Sequence, residues 1–393
     1  MQLPLKLAKS LEKRKDENAL RSLKKNAQLI DFSSNDYLGL ASSAKVYNGA
    51  HQILEQNNLL RNGATGSRLL SGNHKIYDLA ENFLAEFHKT EAALIFNSGY
   101  DANIGFFSSV PKRGDFIFYD ELVHASIRDG ISMSNAKAYK FRHNNIEDLK
   151  TRLDKLSQPE NSEIYIVTES VFSMDGDMAP LQELATISKD FKAFLVVDEA
   201  HATGIFGENG EGLVQEEGIQ DKVFARLNTF GKAPGCHGAV ILGSKGLKNY
   251  LVNFSRSLIY TTALPPHSVA TILSVYQEFT NGISEIQQLK NNIQFFRNQL
   301  EELEVKEHFI PSNSAIQCCI IPGNEKVKNI AEILKQEDFE VKPILSPTVP
   351  KGSERLRFCL HSFNSENEIR EVLKKLAKLL PRSQNDAEPR NWL

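Results

Sequence analysis

Short, wholly apolar runs recur along the middle of the chain, each followed at once by polar turn residues: Ala92–Phe96, Phe116–Tyr119, Ile164–Val167 and Phe194–Val197. Such runs are too short for helices, and a strand with one wet face would alternate polar and apolar residues. Unbroken apolar runs flanked by helical segments therefore predict strands buried on both faces, in a mostly parallel sheet between helices. The clearest helix begins near His74, where Ile76, Leu79, Ala80, Phe83, Leu84 and Phe87 recur at helical spacing. The expected fold class is α/β, a large domain with a mostly parallel sheet plus a small C-terminal α+β domain.

Residues 1–45 read as a helical arm, charged over 1–30, running into a motif at 31–40; 46–266 read as the large domain and 267–393 as the small one. In the small domain two helical segments cover roughly 268–303, broken near Gly282. A strand (Ala315–Ile320), a helix (about 325–337), a strand (Arg355–Leu360) and a last helix follow, and Ser365 with Glu368 has the spacing of a capping box. Residues 382–393 are polar and read as a frayed end.

The 393 residues hold 46 basic and 49 acidic side chains, a formal charge of −3. That balance argues against nucleic acid or an anionic membrane as partner, because both leave a basic footprint. No run approaches the roughly 18 apolar residues of a spanning helix, and the expected location is cytoplasmic. Cysteines at 236, 318, 319 and 359 form no Cys-x-x-Cys pair, which argues against a disulfide or zinc framework. No metal site is expected.

In an open parallel sheet, ligands collect at the carboxyl ends of the strands. There the chain places Asn97-Ser98-Gly99-Tyr100, Asp120 through His124, Glu169 through Ser173, Asp198-Glu199-Ala200-His201, and Thr229-Phe230-Gly231-Lys232. Each group alone has an ordinary explanation: Asp198 as a helix cap, Lys232 as a solvated lysine, His124 as a polar residue near a helix start, His201 as a satisfied loop histidine, Ser98-Gly99 as a capped turn. Gly207–Gly212 has the wrong glycine order for a dinucleotide fingerprint, and nothing matches a Walker motif. Together, however, the groups suit pyridoxal 5'-phosphate (PLP), which needs an amine for its aldehyde, a carboxylate for its ring nitrogen, a flat group over the ring and an anion site. Asp198, Lys232, and the Gly99 and Tyr100 amides at a helix N-terminus supply three of these.

These motifs resemble the α-oxoamine synthases, PLP enzymes of fold type I. The resemblance runs through Asp31–Leu40 (DFSSNDYLGL), Gly63–Asn73 (GATGSRLLSGN), Asn97–Asn103 (NSGYDAN), Glu169–Asp177 (ESVFSMDGD), Asp198–Gly204 (DEAHATG) and Thr229–Gly235 (TFGKAPG). It implies that Lys232 holds the cofactor, Asp198 partners the ring nitrogen, His124 stacks on the ring, and Ser173 and His201 lie near the phenolic oxygen. Gly99, Tyr100 and Thr229, with Ser98 before them, would serve the phosphate, and Thr261 or Thr262 would add a contact from a neighbouring subunit of a homodimer. Arg357 would hold an amino-acid carboxylate bidentately, and Thr348 and Arg21 would contact substrate. Ser346–Pro350 and the Gly63–Asn73 stretch are most similar to the branch that joins L-alanine to a pimeloyl thioester. Glycine- or serine-using siblings and a non-catalytic partner subunit are the competing expectations. The chain departs from the family pattern in two places: only nine residues separate Arg21 from Asp31, and Pro234 replaces a bulky apolar residue.

Overall fold

The computed structural model describes residues 3–21, 23, 28–157 and 159–381, so the polar end at 382–393 lies outside the described residues. They form two compact units: a larger one of Asn35–Ser173 and Met178–Leu289, and a smaller one of the residues before Asn35, Met174–Asp177 and those from Lys290 on. In chain order the strands are β1 (Ile30–Phe32), β2 (Ala92–Phe96), β3 (Phe116–Asp120), β4 (Lys137–Phe141), β5 (Ile164–Glu169), β6 (Phe194–Asp198), β7 (Ala225–Thr229), β8 (Ala239–Gly243), β9 (Ile316–Ile320), β10 (Phe339–Ile344) and β11 (Arg355–Cys359).

The larger unit is built on a seven-stranded sheet in the order β2-β8-β7-β6-β5-β3-β4. Only β8 runs against its neighbours; the other pairings are parallel. The apolar runs are buried as their pattern predicts: β2 and β5 completely, β3 and β6 with one half-buried residue each. The edge strand β4 exposes four of its five residues. Its Lys-Ala-Tyr-Lys-Phe sequence has no buried-strand signature, and lysines on an edge discourage pairing with another chain. Phe106, Ile127 and Leu251 from the flanking helices pack with Val167, Val196 and Ile241 of the sheet in one apolar core. Each such side chain contributes about 1.5–3 kcal/mol by leaving water.

The helix Lys75–Phe87 forms where its spacing predicts, but Leu79 is 45% exposed while Tyr77 and Glu81 are buried. Glu81 turns inward because it is well paired: it accepts from the Ile95 amide at 2.9 Å and from Lys248 Nζ at 2.7 Å, and bonds Arg68 Nη1.

The compact units divide between Ser34 and Asn35 and between Leu289 and Lys290, rather than at residues 45 and 266. The helix Pro266–Thr280 belongs to the larger unit because it packs on the helices Ala44–Gln56 and Lys75–Phe87. Gly49 permits that approach, since a Cβ there would collide with Ser274 Oγ, which instead donates to the Val46 carbonyl at 3.0 Å. Among the described residues of the charged arm the helix covers Leu5–Asp16 and buries none of its own residues, so it is shorter than the 1–30 expected.

In the smaller unit the sheet order is β1-β10-β11-β9, with β1 parallel to β10 and the remaining pairs antiparallel. The helices Asn324–Gln336 and Glu366–Ala377 accompany it, the second opened by the full Ser365–Glu368 capping box. Neither β10 nor β1 stands out in the sequence: Glu340, Lys342 and Pro343 interrupt the first, and the second has three residues. The excursion Met174–Asp177 is tied in by Arg355, which pairs with Asp175 and donates to the Met174 carbonyl. Ser312 and Ser314 both donate to the Gly176 carbonyl.

Candidate active site

Five parallel strands of the larger unit deliver their following residues to one rim. β2 leads into Ser98, β3 into His124, β5 into Ser173, β6 into His201 and β7 into Lys232. The larger unit also contains Thr261 and Thr262, and Asn97 Nδ2 donates to Thr261 Oγ1 at 3.2 Å and to the Thr262 carbonyl at 2.7 Å within the same chain.

The helix Gly99–Phe107 starts directly after β2 because Ser98 caps it, its Oγ accepting from the Asp101 amide at 3.1 Å. The same hydroxyl donates to Asp101 Oδ2 at 2.8 Å, so the Ser98 side chain is committed to the cap. Tyr100 is exposed and its hydroxyl donates to Asp129, leaving its backbone as the part that faces the helix terminus. Thr229 stands beside this end: a Cβ on Gly99 would lie 3.5 Å from Thr229 Oγ1, an ordinary contact. A helix N-terminus flanked by a hydroxyl is an anion site by dipole and by donors.

Lys232 is half-buried, and its Nζ lies 2.8 Å from His201 Nε2. The other ring nitrogen, Nδ1, is 2.8 Å from the hydroxyl of buried Tyr37, which donates to Asn35 Oδ1 at 3.1 Å. A phenol has one proton, so Tyr37 accepts from Nδ1–H and leaves Nε2 to accept from the lysine. Pro234 does not prevent the turn that carries Lys232, because the Gly235 amide donates to the Lys232 carbonyl at 2.8 Å.

Asp198 is 6% exposed, and both its oxygens are engaged: Oδ1 accepts from the Ala200 amide at 2.9 Å and Oδ2 from Asn103 Nδ2 at 2.8 Å. Asn103 Nδ2 also lies 3.0 Å from Ser126 Oγ, which is 2.7 Å from His124 Nδ1. The His124 amide donates to Glu169 Oε1. Although His124 as a residue is exposed, desolvation of its ring lowers its pKa, with the Lys232 charge adding and the Asp198 charge opposing. The ring is therefore neutral at neutral pH. Glu169 is buried beside Asp198, and burial first, then that carboxylate, pushes its carboxyl well above the usual range.

Ser173 is half-buried at the end of the larger unit's β5 loop. Arg21, Thr348 and Arg357 belong to the smaller unit. Arg21 is exposed, as is Thr348, whose amide donates to the Leu345 carbonyl. Arg357 is buried on β11 opposite Cys318, with Nη1 2.9 Å from Cys359 Sγ. Asn35, Tyr37, Asn103 and Glu169 take part in the site without having been singled out; each lies inside a quoted motif. Ser126 lies outside them, and only its place two residues after His124 marks it.

The larger unit's residues fit PLP: an amine beside an imidazole, a buried carboxylate whose own donors keep it an acceptor, a neutral ring and an anion-binding helix end. The profile of the aminotransferase class I and II family matches residues 27–376. The 8-amino-7-oxononanoate synthase of Emericella nidulans is 40% identical over 399 residues, covering 96% of this chain and 95% of its own. A serine palmitoyltransferase of S. paucimobilis with bound PLP–myriocin superposes with a TM-score of 0.85 at 26% identity, covering 95% of this chain and 96% of its own. The 8-amino-7-oxononanoate synthase of Francisella tularensis gives 0.75 at 29%, covering 90% and 98%.

The chain belongs to the aminotransferase class I and II family, as a PLP-dependent enzyme of fold type I. Within it, this is an α-oxoamine synthase, similar to the 8-amino-7-oxononanoate synthases.

Proposed function

We propose that the enzyme condenses L-alanine with a pimeloyl thioester, releasing carbon dioxide and the thiol carrier and giving 8-amino-7-oxononanoate for biotin biosynthesis. The observation that carries this reading is the 40% identity with the Emericella nidulans synthase over 96% of the chain. When bound, PLP supplies an aldehyde that captures amines and a ring that accepts the electrons of the deprotonated α-carbon.

Lys232 is the amine that holds the aldehyde and, once displaced by alanine, the base that takes the α-proton. His201 Nε2, at 2.8 Å, keeps that amine aimed and can take a hydrogen bond from it in either role. Asp198 faces the ring nitrogen as a carboxylate and stabilises positive charge there. Neutral His124 covers the ring without adding a competing charge, and Ser173 with His201 serves the phenolic oxygen. The Gly99 and Tyr100 amides, held by the Ser98 cap, bind the phosphate with Thr229. Thr261 or Thr262 adds a contact to that site from the neighbouring subunit of a homodimer. Arg357 binds the alanine carboxylate, and Arg21 and Thr348 contact substrate. The protein acts in the cytoplasm; among the described residues no helix is long and apolar enough to cross a membrane.

A sibling activity, serine with a long acyl thioester, is favoured by one observation: a serine palmitoyltransferase of Sphingomonas wittichii superposes at 0.87, against 0.75 for the Francisella tularensis synthase. Thiol release decides between them. The loaded enzyme is given pimeloyl-CoA with alanine, glycine or serine, and palmitoyl-CoA with the same set, and Lys232→Ala is the control. Thiol release dependent on alanine and pimeloyl-CoA, with the amino ketone seen by mass, supports the reading; dependence on serine and palmitoyl-CoA overturns it.

A further inference from the structure

Asn103 and Ser126 join the two groups that are to bracket the cofactor ring. The Asn103 amide nitrogen has two hydrogens, and two acceptors stand at hydrogen-bond distance: Asp198 Oδ2 at 2.8 Å and Ser126 Oγ at 3.0 Å. The amide orientation is fixed by its neighbours, because the reverse would set Oδ1 against the Asp198 carboxylate. Asn103 Oδ1 is buried and accepts no hydrogen bond, so the side chain is held by its donor end. Having accepted from Asn103, the Ser126 hydroxyl directs its own proton to His124 Nδ1 at 2.7 Å. The Ser126 amide also approaches Nδ1, at 3.2 Å. A backbone N–H can only donate, so Nδ1 is an acceptor and the ring proton sits on Nε2.

We propose that Asn103 and Ser126 are positioning residues forming one donor relay that fixes two states together, Asp198 as an acceptor-only carboxylate and His124 as the neutral ring protonated on Nε2. The relay rests on the assignment of Asp198 and His124 as the ring's partners. It deepens that assignment by naming what holds the tautomer. Burial supports it: Asn103 is 2% and Ser126 1% exposed, so neither can exchange its partner for bulk water at no cost. The charged groups acting on His124 are Asp198, Lys232, Arg128 and Asp129, with Glu169 bonded to its amide. Removing the relay leaves these opposed charges to set the ring's proton.

The test uses full-length, PLP-loaded protein with 15N-labelled histidine, with the His124 resonances assigned through His124→Asn. In the wild type, Nδ1 should give an acceptor-type shift and Nε2 a protonated one across neutral pH. Ser126→Ala, which leaves only the longer 3.2 Å contact from the Ser126 amide on Nδ1, and Asn103→Leu should each bring in a measurable fraction of Nδ1 protonation, while Ser126→Thr, which keeps the hydroxyl, should retain the wild-type pattern. Asn103→Leu should also weaken PLP binding about tenfold, the scale of one lost buried hydrogen bond to a charge. A wild-type ring protonated on Nδ1, or Ser126→Ala and Asn103→Leu spectra that overlay the wild type, would overturn the relay. If Asn103→Leu does not fold, Ser126→Ala carries the test, since it removes a single oxygen. None of these measurements uses alanine or a thioester, so a wrong substrate would leave the result standing.

Discussion

Glu169 and Asp198 sit opposite one another in the parallel register of β5 and β6, and both are buried, at 2% and 6% exposure. Two adjacent ionised carboxylates cannot share such a site cheaply. Asp198 accepts two hydrogen bonds and so serves as the acceptor of the pair, and Glu169, whose carboxyl is pushed upward, takes the proton.

That division predicts how Glu169→Gln behaves. A carboxyl whose folded pKa lies above its unfolded value contributes stability that is complete below the unfolded pKa, near 4.3, and is lost as pH rises through the folded one. Glutamine keeps a carbonyl for the His124 amide and never ionises. The variant should therefore gain on the wild type between about pH 5 and about pH 9, in urea unfolding midpoints measured at both. An equal difference at the two pH values would show Glu169 ionised throughout. Glu169→Ala, which strips the acceptor from the His124 amide, should lie about 1–3 kcal/mol below Glu169→Gln at either pH.

Tyr37→Phe isolates the link from the N-terminal motif to the lysine. The ring still fills its fully buried position, but His201 Nδ1–H loses its acceptor. The orientation of His201, and through it of Lys232, is then held less firmly. We expect kcat to fall about three- to tenfold, the size of one hydrogen bond, with KM for the amino acid nearly unchanged. A tenfold rise in KM with constant kcat would instead place Tyr37 in substrate binding.

Much of this is legible in the sequence. The sheet could be read because a strand covered on both faces must be apolar throughout, as in β2 and β5; β4, with its lysines on an edge, could not. Strand-end logic brought Asp198, His201, Thr229 and Lys232 to one rim. It could not find Asn103 or Ser126, because a residue facing inward from a helix has no local pattern to distinguish it from an ordinary buried polar group. The exposure of Leu79 has a related cause: helical periodicity ranks faces by hydrophobicity, and Glu81 reverses the ranking by finding Arg68 and Lys248.

Gly235 should be intolerant of a side chain. Its φ of 63° lies in the left-handed region, and a Cβ would come within 2.6 Å of the Leu40 carbonyl carbon and 2.8 Å of Ala41 Cα. The obstruction is backbone and cannot rotate away. Left-handed strain alone costs about 1–2 kcal/mol, and the collision adds to it. Gly235→Ala should thus lower the thermal midpoint by at least about 4 °C and reduce PLP occupancy, because the turn carries Lys232. Gly231→Ala, whose Cβ would meet nothing closer than 3.8 Å, is the matched control and should melt near the wild type.

The buried pair Arg226–Glu199 gives the sharpest stability test. Their side chains are almost fully enclosed, Nη1 stands 3.8 Å from Oε2, and neither of those two atoms makes a hydrogen bond. Arg226 Nη2 donates to the His88 carbonyl, and Glu199 Oε1 accepts from the Val214 amide at 2.9 Å. Burial pushes the Glu199 carboxyl up to about 7 even against the Arg226 charge. Arg226→Ala removes the opposing cation, and leaving a buried carboxylate unpaired costs about 3–5 kcal/mol. Without Arg226 the carboxyl holds its proton to higher pH, so the penalty should be smaller near pH 5, where Glu199 is neutral in the folded wild type as well, and larger near pH 8. Adding Glu199→Gln to Arg226→Ala should recover part of the loss at the higher pH and little at the lower. Unfolding midpoints of the two single variants and the double variant at both pH values measure this coupling, and a recovery independent of pH would mean that shape, not charge, holds the pair in place.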